Sequence, residues 1–311
     1  MIILLNKHSN GTCGLKKWAA LRPGLESGYL GDGYTLVPDF EEFRQRVSQD
    51  YDRGERVFIA AGGDGTVNFL LNQLMRVGGA DRSSLILGAI ALGSSNDFHK
   101  PFSSNGNGQT KGKVPVRLDH ARAVPHNVGS IEYRDIDNRP RHRYFIVNCS
   151  VGLVAQANYF FNSDNRIVNW MKPRWVEGTI WYSALQTLIT ARNVPALIRV
   201  ERDNFETRLT TMSVFINPNV SGSFRYDLEI SARSDYLGVG LCERMGIPSR
   251  VRTIASLAGG RFAGLPKTRT WRAREIEISP AAPMALEMDG EVTLARHVKI
   301  KLMHEALRVC G

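Results

Sequence analysis

The sequence predicts an α/β unit with a parallel sheet, followed by a β-rich unit. Three observations carry this. Short apolar strands alternate with amphipathic helices through the first third. A glycine-rich turn closes one of those strands and opens a helix. After a segment of Gly, Asn and Ser, the remaining chain reads mainly as strands between turns.

Met1–Leu5 reads as a strand running into the polar turn Asn6-Lys7-His8-Ser9-Asn10-Gly11. Tyr34–Val37 is a second strand. Pro38-Asp39 then starts a helix bearing Phe40, Phe43 and Val47. Arg56–Ala61 is a third strand, and the helix after it shows Val67, Leu70, Leu71 and Leu74 on one side. Leu85–Leu92 is an unbroken apolar run, the signature of a parallel strand buried on both faces.

Ser103–Gly112 lacks a hydrophobic period and reads as a linker or exposed loop. Strands are then expected at 116–119, 144–149, 196–202, 212–217, 239–244, 275–279, 284–288 and 298–303. Helices are expected over 175–192 and 251–262. The domain boundary is placed at 118/119, a first unit over 1–118 and a second over 119–311, the chain end being free to return to the first.

With 311 residues, 43% hydrophobic and 23% charged, the chain has the balance of a folded protein rather than a disordered one. Its net charge of +10 favours polyanionic partners: nucleotides, nucleic acid or anionic lipid headgroups. No apolar run approaches the ~20 residues of a membrane span, so a cytoplasmic protein is expected. Cys13, Cys149, Cys242 and Cys310 are too far apart for a metal-type pair and read as reduced structural thiols.

The sharpest motif is Gly62-Gly63-Asp64-Gly65-Thr66-Val67-Asn68. Three glycines in four positions admit backbone amides to a ligand, and the following helix turns its positive end to the same place. It lacks the Gly-Lys-Ser/Thr ending of a P-loop and the spacing of a dinucleotide fingerprint. A carboxylate at Asp64 would repel phosphate unless it holds Mg²⁺ or accepts a proton. The plainer alternative is a tight turn with Asp64 as helix N-cap. Gly93-Ser94-Ser95-Asn96-Asp97-Phe98 has the same logic at the end of the next buried strand. Its serines are donors for phosphate, and Asn96 and Asp97 can cap a helix or join the site. Asp289-Gly290-Glu291, taken alone, is a hairpin turn.

In that order and spacing these segments resemble the diacylglycerol kinase catalytic family, which includes bacterial lipid kinases and sphingosine and ceramide kinases. Asn6–Asn10 is similar to the family's first nucleotide loop. Leu92–Phe98 is similar to its Leu-Gly-Thr-x-Asn-Asp-Phe segment, Phe145–Gly152 to the start of its second domain, and Asp289–Glu291 to its late Asp-Gly-Glu. The resemblance implies a first domain like those of NAD kinases and phosphofructokinases, a second that is β-sandwich-like, and ATP in the cleft between them. It implies nucleotide contacts from Asn6, Lys7, Ser9, Gly62, Gly63, Asp64, Gly65, Thr66, Asn68, Ser94 and Asn96. Glu291 would accept the proton of a lipid hydroxyl, with Asp64 and Asp97 supporting it or holding Mg²⁺. The reaction implied is phosphorylation of diacylglycerol to phosphatidic acid. A sphingoid, ceramide or other glycerolipid kinase, an NAD kinase, or a non-catalytic nucleotide- or lipid-binding regulator are the alternatives.

The chain departs from the family pattern in places. Lys7 stands where proline is frequent, and Asn10 where glycine is. The family's accessory magnesium site usually uses Asp-Asp-Gly, but Ala232–Gly238 offers only Asp235.

Two basic aromatic segments are candidates for an anionic membrane surface. One carries seven Lys or Arg and no acid over 248–274, with Phe262, Leu265 and Trp271 between them. The other is Arg166, Trp170, Lys172, Arg174 and Trp175. The partners expected are a lipid substrate at the inner face of a membrane and anionic headgroups. No nucleic-acid module is present to bind nucleic acid, and self-association as a homodimer is left open.

Overall fold

The computed structural model describes every residue except 10–12, 32, 102–109, 112–113 and 172–173; of Cys13, Val176 and Glu177 only the backbone is described. The expectations for Asn10, for Lys172 and for most of the 103–112 stretch lie outside the described residues. Thr110–Lys111, inside that stretch, forms a short strand antiparallel to Val114–Arg117.

The chain forms two compact units. The first comprises Met1–Val128, Ser231–Ser234 and Met303–Gly311, the second Gly129–Ile230 and Asp235–Leu302.

In the first unit, β1 (Ile2–Leu5), β2 (Thr35–Val37), β3 (Val57–Gly62) and β4 (Ile86–Ala91) lie parallel in the order β2-β1-β3-β4. Between them run α1 (Cys13–Leu25), α2 (Phe40–Asp52) and α3 (Asp64–Gly78). Beyond β4, Val114–Arg117 pairs antiparallel, and Arg308 and Val309 of the last strand, His297–Val309, pair parallel. β1 and β4 are buried at every position, as a sheet covered on both faces requires. One face packs Ile3, Leu5, Ile59, Ala61, Ile90 and Leu92 against Trp18 and Leu25 of α1. α2 starts as expected, the Asp39 carboxylate accepting from Glu41 N–H and Glu42 N–H at 2.9 and 2.8 Å.

α1 was not among the expected elements. Trp18, Leu21 and Leu25 have helical spacing, but Pro23 and Gly24 punctuate the run and disguise it.

The second unit is antiparallel. Asp203–Phe215, a strand of 13 residues, is its organiser. Its first half pairs with Val194–Val200, its second half with Asn148–Gly152, and its other edge with Leu237–Glu243. A register shift between Leu209 and Thr211 marks the bend between the halves. α4 (Leu153–Phe161), α5 (Arg166–Met171), α6 (Val176–Thr190) and α7 (Ile247–Ala258) complete the unit. The parallel first region and antiparallel β-rich second region are those the sequence predicts. The helix expected at 251–262 instead begins at Ile247, with Pro248 in its first turn. Strands at Val124–Arg134 and Thr268–Ala273 were not foreseen. The latter is rich in Arg and Thr, and its side chains do not alternate cleanly between apolar and polar.

Among the described residues no helix is long and apolar enough to cross a membrane.

Candidate active site

Three loops leave the C-terminal ends of the adjacent strands β1, β3 and β4, where an open parallel sheet presents ligand-binding loops. They are fastened to one another. Asn6 N–H donates to Ala61 O at 3.0 Å, and the Asn6 side-chain amide donates to Thr66 Oγ1 at 3.0 Å. Leu92 N–H donates to Gly62 O at 2.8 Å. Asp64 bridges the second and third loops, one carboxylate oxygen accepting from Asp97 N–H and the other from Phe98 N–H, both at 3.0 Å.

The glycines are required by packing more than by backbone conformation. A Cβ on Gly93 would lie 2.4 Å from the Gly63 Cα, so the two loops touch glycine to glycine. A Cβ on Gly62 would strike the Thr66 side chain at 2.2 Å. The bare backbone is therefore used first to bring the loops together, and the partly exposed Gly63, Asp64 and Gly65 are what remains open to solvent. α3 begins at Asp64 with Gly63 in the cap position, so no side chain caps it. Asp64 as N-cap, the plainer alternative, is not what forms. The positive end of a 15-residue helix is thus without a side-chain cap.

The remaining expected residues divide. Ser9 is buried, and among the described residues its hydroxyl has no hydrogen-bond partner. Lys7 is exposed beside it, as is Ser94 on the third loop. Asn96 caps nothing: it sits at φ 50°, and its amide closes the loop by accepting from Gly93 N–H (3.1 Å) and donating to Gly93 O (3.0 Å). Asp97 is buried and ion-paired to Lys100 at 2.6 Å. Asn68 is also buried, its side-chain oxygen accepting from Asn72.

Sequence reasoning missed Lys100, although its spacing of three from Asp97 is a helical pair spacing. It also missed the buried groups behind the third loop. Arg117 lies over the Phe98 ring at 5.0 Å. His99 and His126 are held neutral, burial lowering their pKa values to about 3 and about 4, with Arg117 adding to both.

In the second unit, Asp289-Gly290 is the two-residue turn of a hairpin between Met284–Met288 and Glu291–Ala295. Both turn residues have positive φ, 48° and 93°, the geometry for which Asp-Gly is suited. Asp289 is buried and accepts from the N–H groups of Ile146, Val147 and Asn148 at 2.8–2.9 Å. The turn is thereby bolted to the segment that leads into Asn148–Gly152. Glu291, the next residue, is exposed. Protein packed around its carboxyl raises the pKa above the ordinary value, and Arg143 pulls it the other way.

Asp235, expected to hold a metal, instead faces Arg274 at 3.7 Å. Among the described residues no three His, Cys, Asp or Glu side chains gather into a cation site. The basic run 248–274 is also largely spoken for. Arg250 is buried, Arg269 is paired with Glu243 at 2.8 Å and stacked on Phe205, and Trp271 donates to Asp203. Phe262 is fully buried.

Residues 1–128 match the profile of the family described as the diacylglycerol kinase catalytic domain. The match spans the whole parallel sheet from β1 to β4 and stops at the end of the first stretch of the first unit. A diacylglycerol kinase of Staphylococcus haemolyticus is 22% identical over 289 residues, covering 88% of this chain and 79% of that protein. One from Staphylococcus saprophyticus is 23% identical over 250 residues, covering 80% and 73%. The fold is similar to a crystal structure of a diacylglycerol kinase from Bacillus anthracis, with a TM-score of 0.65 at 13% identity over 99% of this chain and 95% of that one. It is also similar to yeast NADH kinase, with a TM-score of 0.51 at 11% identity over 100% and 82%. All three fastened loops lie within the residues that match this profile.

Proposed function

We propose that this protein is an ATP-dependent lipid kinase whose first-choice acceptor is diacylglycerol. The observation that supports it best is the fastening of three loops at the ends of β1, β3 and β4 around an uncapped helix start. Phosphoryl transfer asks the protein mainly for positioning and charge neutralisation, and such an arrangement supplies backbone N–H groups held in place before the nucleotide arrives.

In the proposed reaction the acceptor hydroxyl oxygen attacks the γ-phosphorus of ATP. The bond from that phosphorus to the β–γ bridging oxygen breaks, ADP leaves, and the hydroxyl proton passes to Glu291. The raised pKa of Glu291 makes it a better proton acceptor than a glutamate of ordinary pKa once ionised. Magnesium carried by nucleotide phosphates asks for only one or two protein carboxylates. Asp64 is the carboxylate at the loops that fits this use, whereas a cation cage made of protein alone does not fit the described residues. When bound, the ion would neutralise phosphate charge. Ser9, Lys7 and Ser94 are assigned to phosphate oxygens.

The test is transfer from γ-labelled ATP to a panel of diacylglycerol, monoacylglycerol, sphingosine and ceramide in mixed micelles, with NAD as control. Diacylglycerol should be labelled and NAD should not. Glu291→Gln should lower kcat by about a hundredfold or more. Labelling of NAD alone would overturn the lipid assignment and favour the nucleotide kinase reading that the NADH kinase fold suggests.

A further inference from the structure

α6 is an amphipathic helix turned inside out. Thr179, Ser183 and Thr187, four residues apart, are 0%, 1% and 2% exposed. Trp181, Leu185 and Ile189, with the same spacing, are 58%, 56% and 57% exposed. An ordinary surface helix of a soluble protein shows the opposite arrangement, and an apolar stripe of this kind marks an interaction surface.

The stripe is not alone. Trp170 and Trp175, just before α6, are exposed, and Arg174 lies over the Trp170 ring at 5.0 Å. α7 adds exposed Ile247 and Val251, one turn apart. α7 is locked to α6 by Arg250, whose guanidinium donates to Leu188 O and Ala191 O, both at 2.8 Å, and to Asn193 Oδ1 at 3.2 Å. That buried cation caps the C-terminal end of α6 and makes the two helices one support.

We infer that the outward face of α6, extended by Trp170, Trp175 and the exposed side of α7, lies on an anionic lipid bilayer. It rests on the lipid-kinase reading for its purpose, since an enzyme acting on a membrane lipid must reach it, but not for its geometry. Charge selects the occupant. Arg166, Arg174, Arg192 and Arg252 are exposed around this face, and among the described residues none of them is ion-paired. Tryptophan beside arginine, with aliphatic side chains between, suits a helix lying in the headgroup region of a bilayer. A second copy would bring its own arginines, on a chain of net charge +10, against these. Of the basic run at 248–274 only the α7 part contributes, because Arg250, Arg269 and Arg274 already have partners.

The experiment is co-sedimentation of the whole protein with phosphatidylcholine vesicles, with and without phosphatidylglycerol. It compares wild type with the combined variant Trp181→Gln, Leu185→Gln and Ile189→Gln. Wild type should pellet with the anionic vesicles, and the variant should lose about tenfold or more of its partitioning. The variant's melting temperature should not fall, and phosphorylation of a short-chain, water-dissolved diacylglycerol should be unchanged. Should the variant aggregate, quenching of wild-type tryptophan fluorescence by brominated phosphatidylglycerol reads the same face without substitution. Equal binding by variant and wild type, no binding or quenching by wild type, or a variant that loses only self-association would each overturn the inference. Vesicle binding that depends on the stripe, with no lipid phosphorylated, would leave the docking face standing and remove the kinase reading.

Discussion

Gly93 and Gly63 meet where neither has room for a methyl group, so Gly93→Ala has to push two loops apart. Nucleotide affinity should drop at least about tenfold, measured by titration calorimetry, while helical content by circular dichroism is kept. Asp64→Ala removes the acceptor for two N–H groups and should cost about 2 kcal/mol of stability in denaturant titration as well as activity. Glu291 gives a pH prediction. Its pKa is raised, and a proton acceptor must be ionised, so activity should fall on the acid side through a limb lying above the ordinary glutamate range. Arg143→Ala removes the charge that lowers this pKa, so the limb should move to higher pH; a limb that stays or moves down would exclude Glu291 as its source. The glycines and Asp64 were legible in the sequence as a loop of unusual composition. Their first duty, joining neighbouring loops, was not, because Gly93 and Asp97 are distant in sequence from Gly63 and Asp64.

The Asp289-Gly290 turn shows how one element serves two ends. It is the hairpin that its composition predicts, and it also fixes where Glu291 begins its strand. Asp289→Ala leaves three N–H groups without their acceptor and should destabilise the second unit by about 2 kcal/mol or more, lowering kcat with it. Asp39→Ala, at the start of α2, should cost about 1 kcal/mol and leave kcat alone, which separates a cap from a site residue. The Asp39 start was readable because N-caps are local. In α6 the periodicity was readable but its direction was not. Helical spacing fixes which residues share a face, while the partners of each face are decided by chain segments far away, here α4 and α7.

The units differ in what holds them. The first keeps His99 and His126 buried and neutral, with pKa values near 3 and 4 against 6.5 when exposed. Between those limits the unfolded chain binds the extra protons, so stability rises with pH across this window and is lost on acidification, by up to about 1.4 kcal/mol per pH unit for each histidine. Thermal melts from pH 7 to 4 should show that fall, and His126→Gln should flatten it. Residues 303–311 belong to the first unit and bury Leu307, Val309 and Cys310. Removing them should abolish ATP binding through loss of the strand beside β4. The alternation that predicts a parallel sheet is a property of the early chain alone; a strand returning from the end of the sequence leaves no periodic signature there. Photo-crosslinking with azido-ATP tests the phosphate site most directly. ATP-competed label is expected on peptides containing residues 6–9, 62–68 or 93–98. Competed label confined to other peptides, or label that ATP fails to displace, would contradict it.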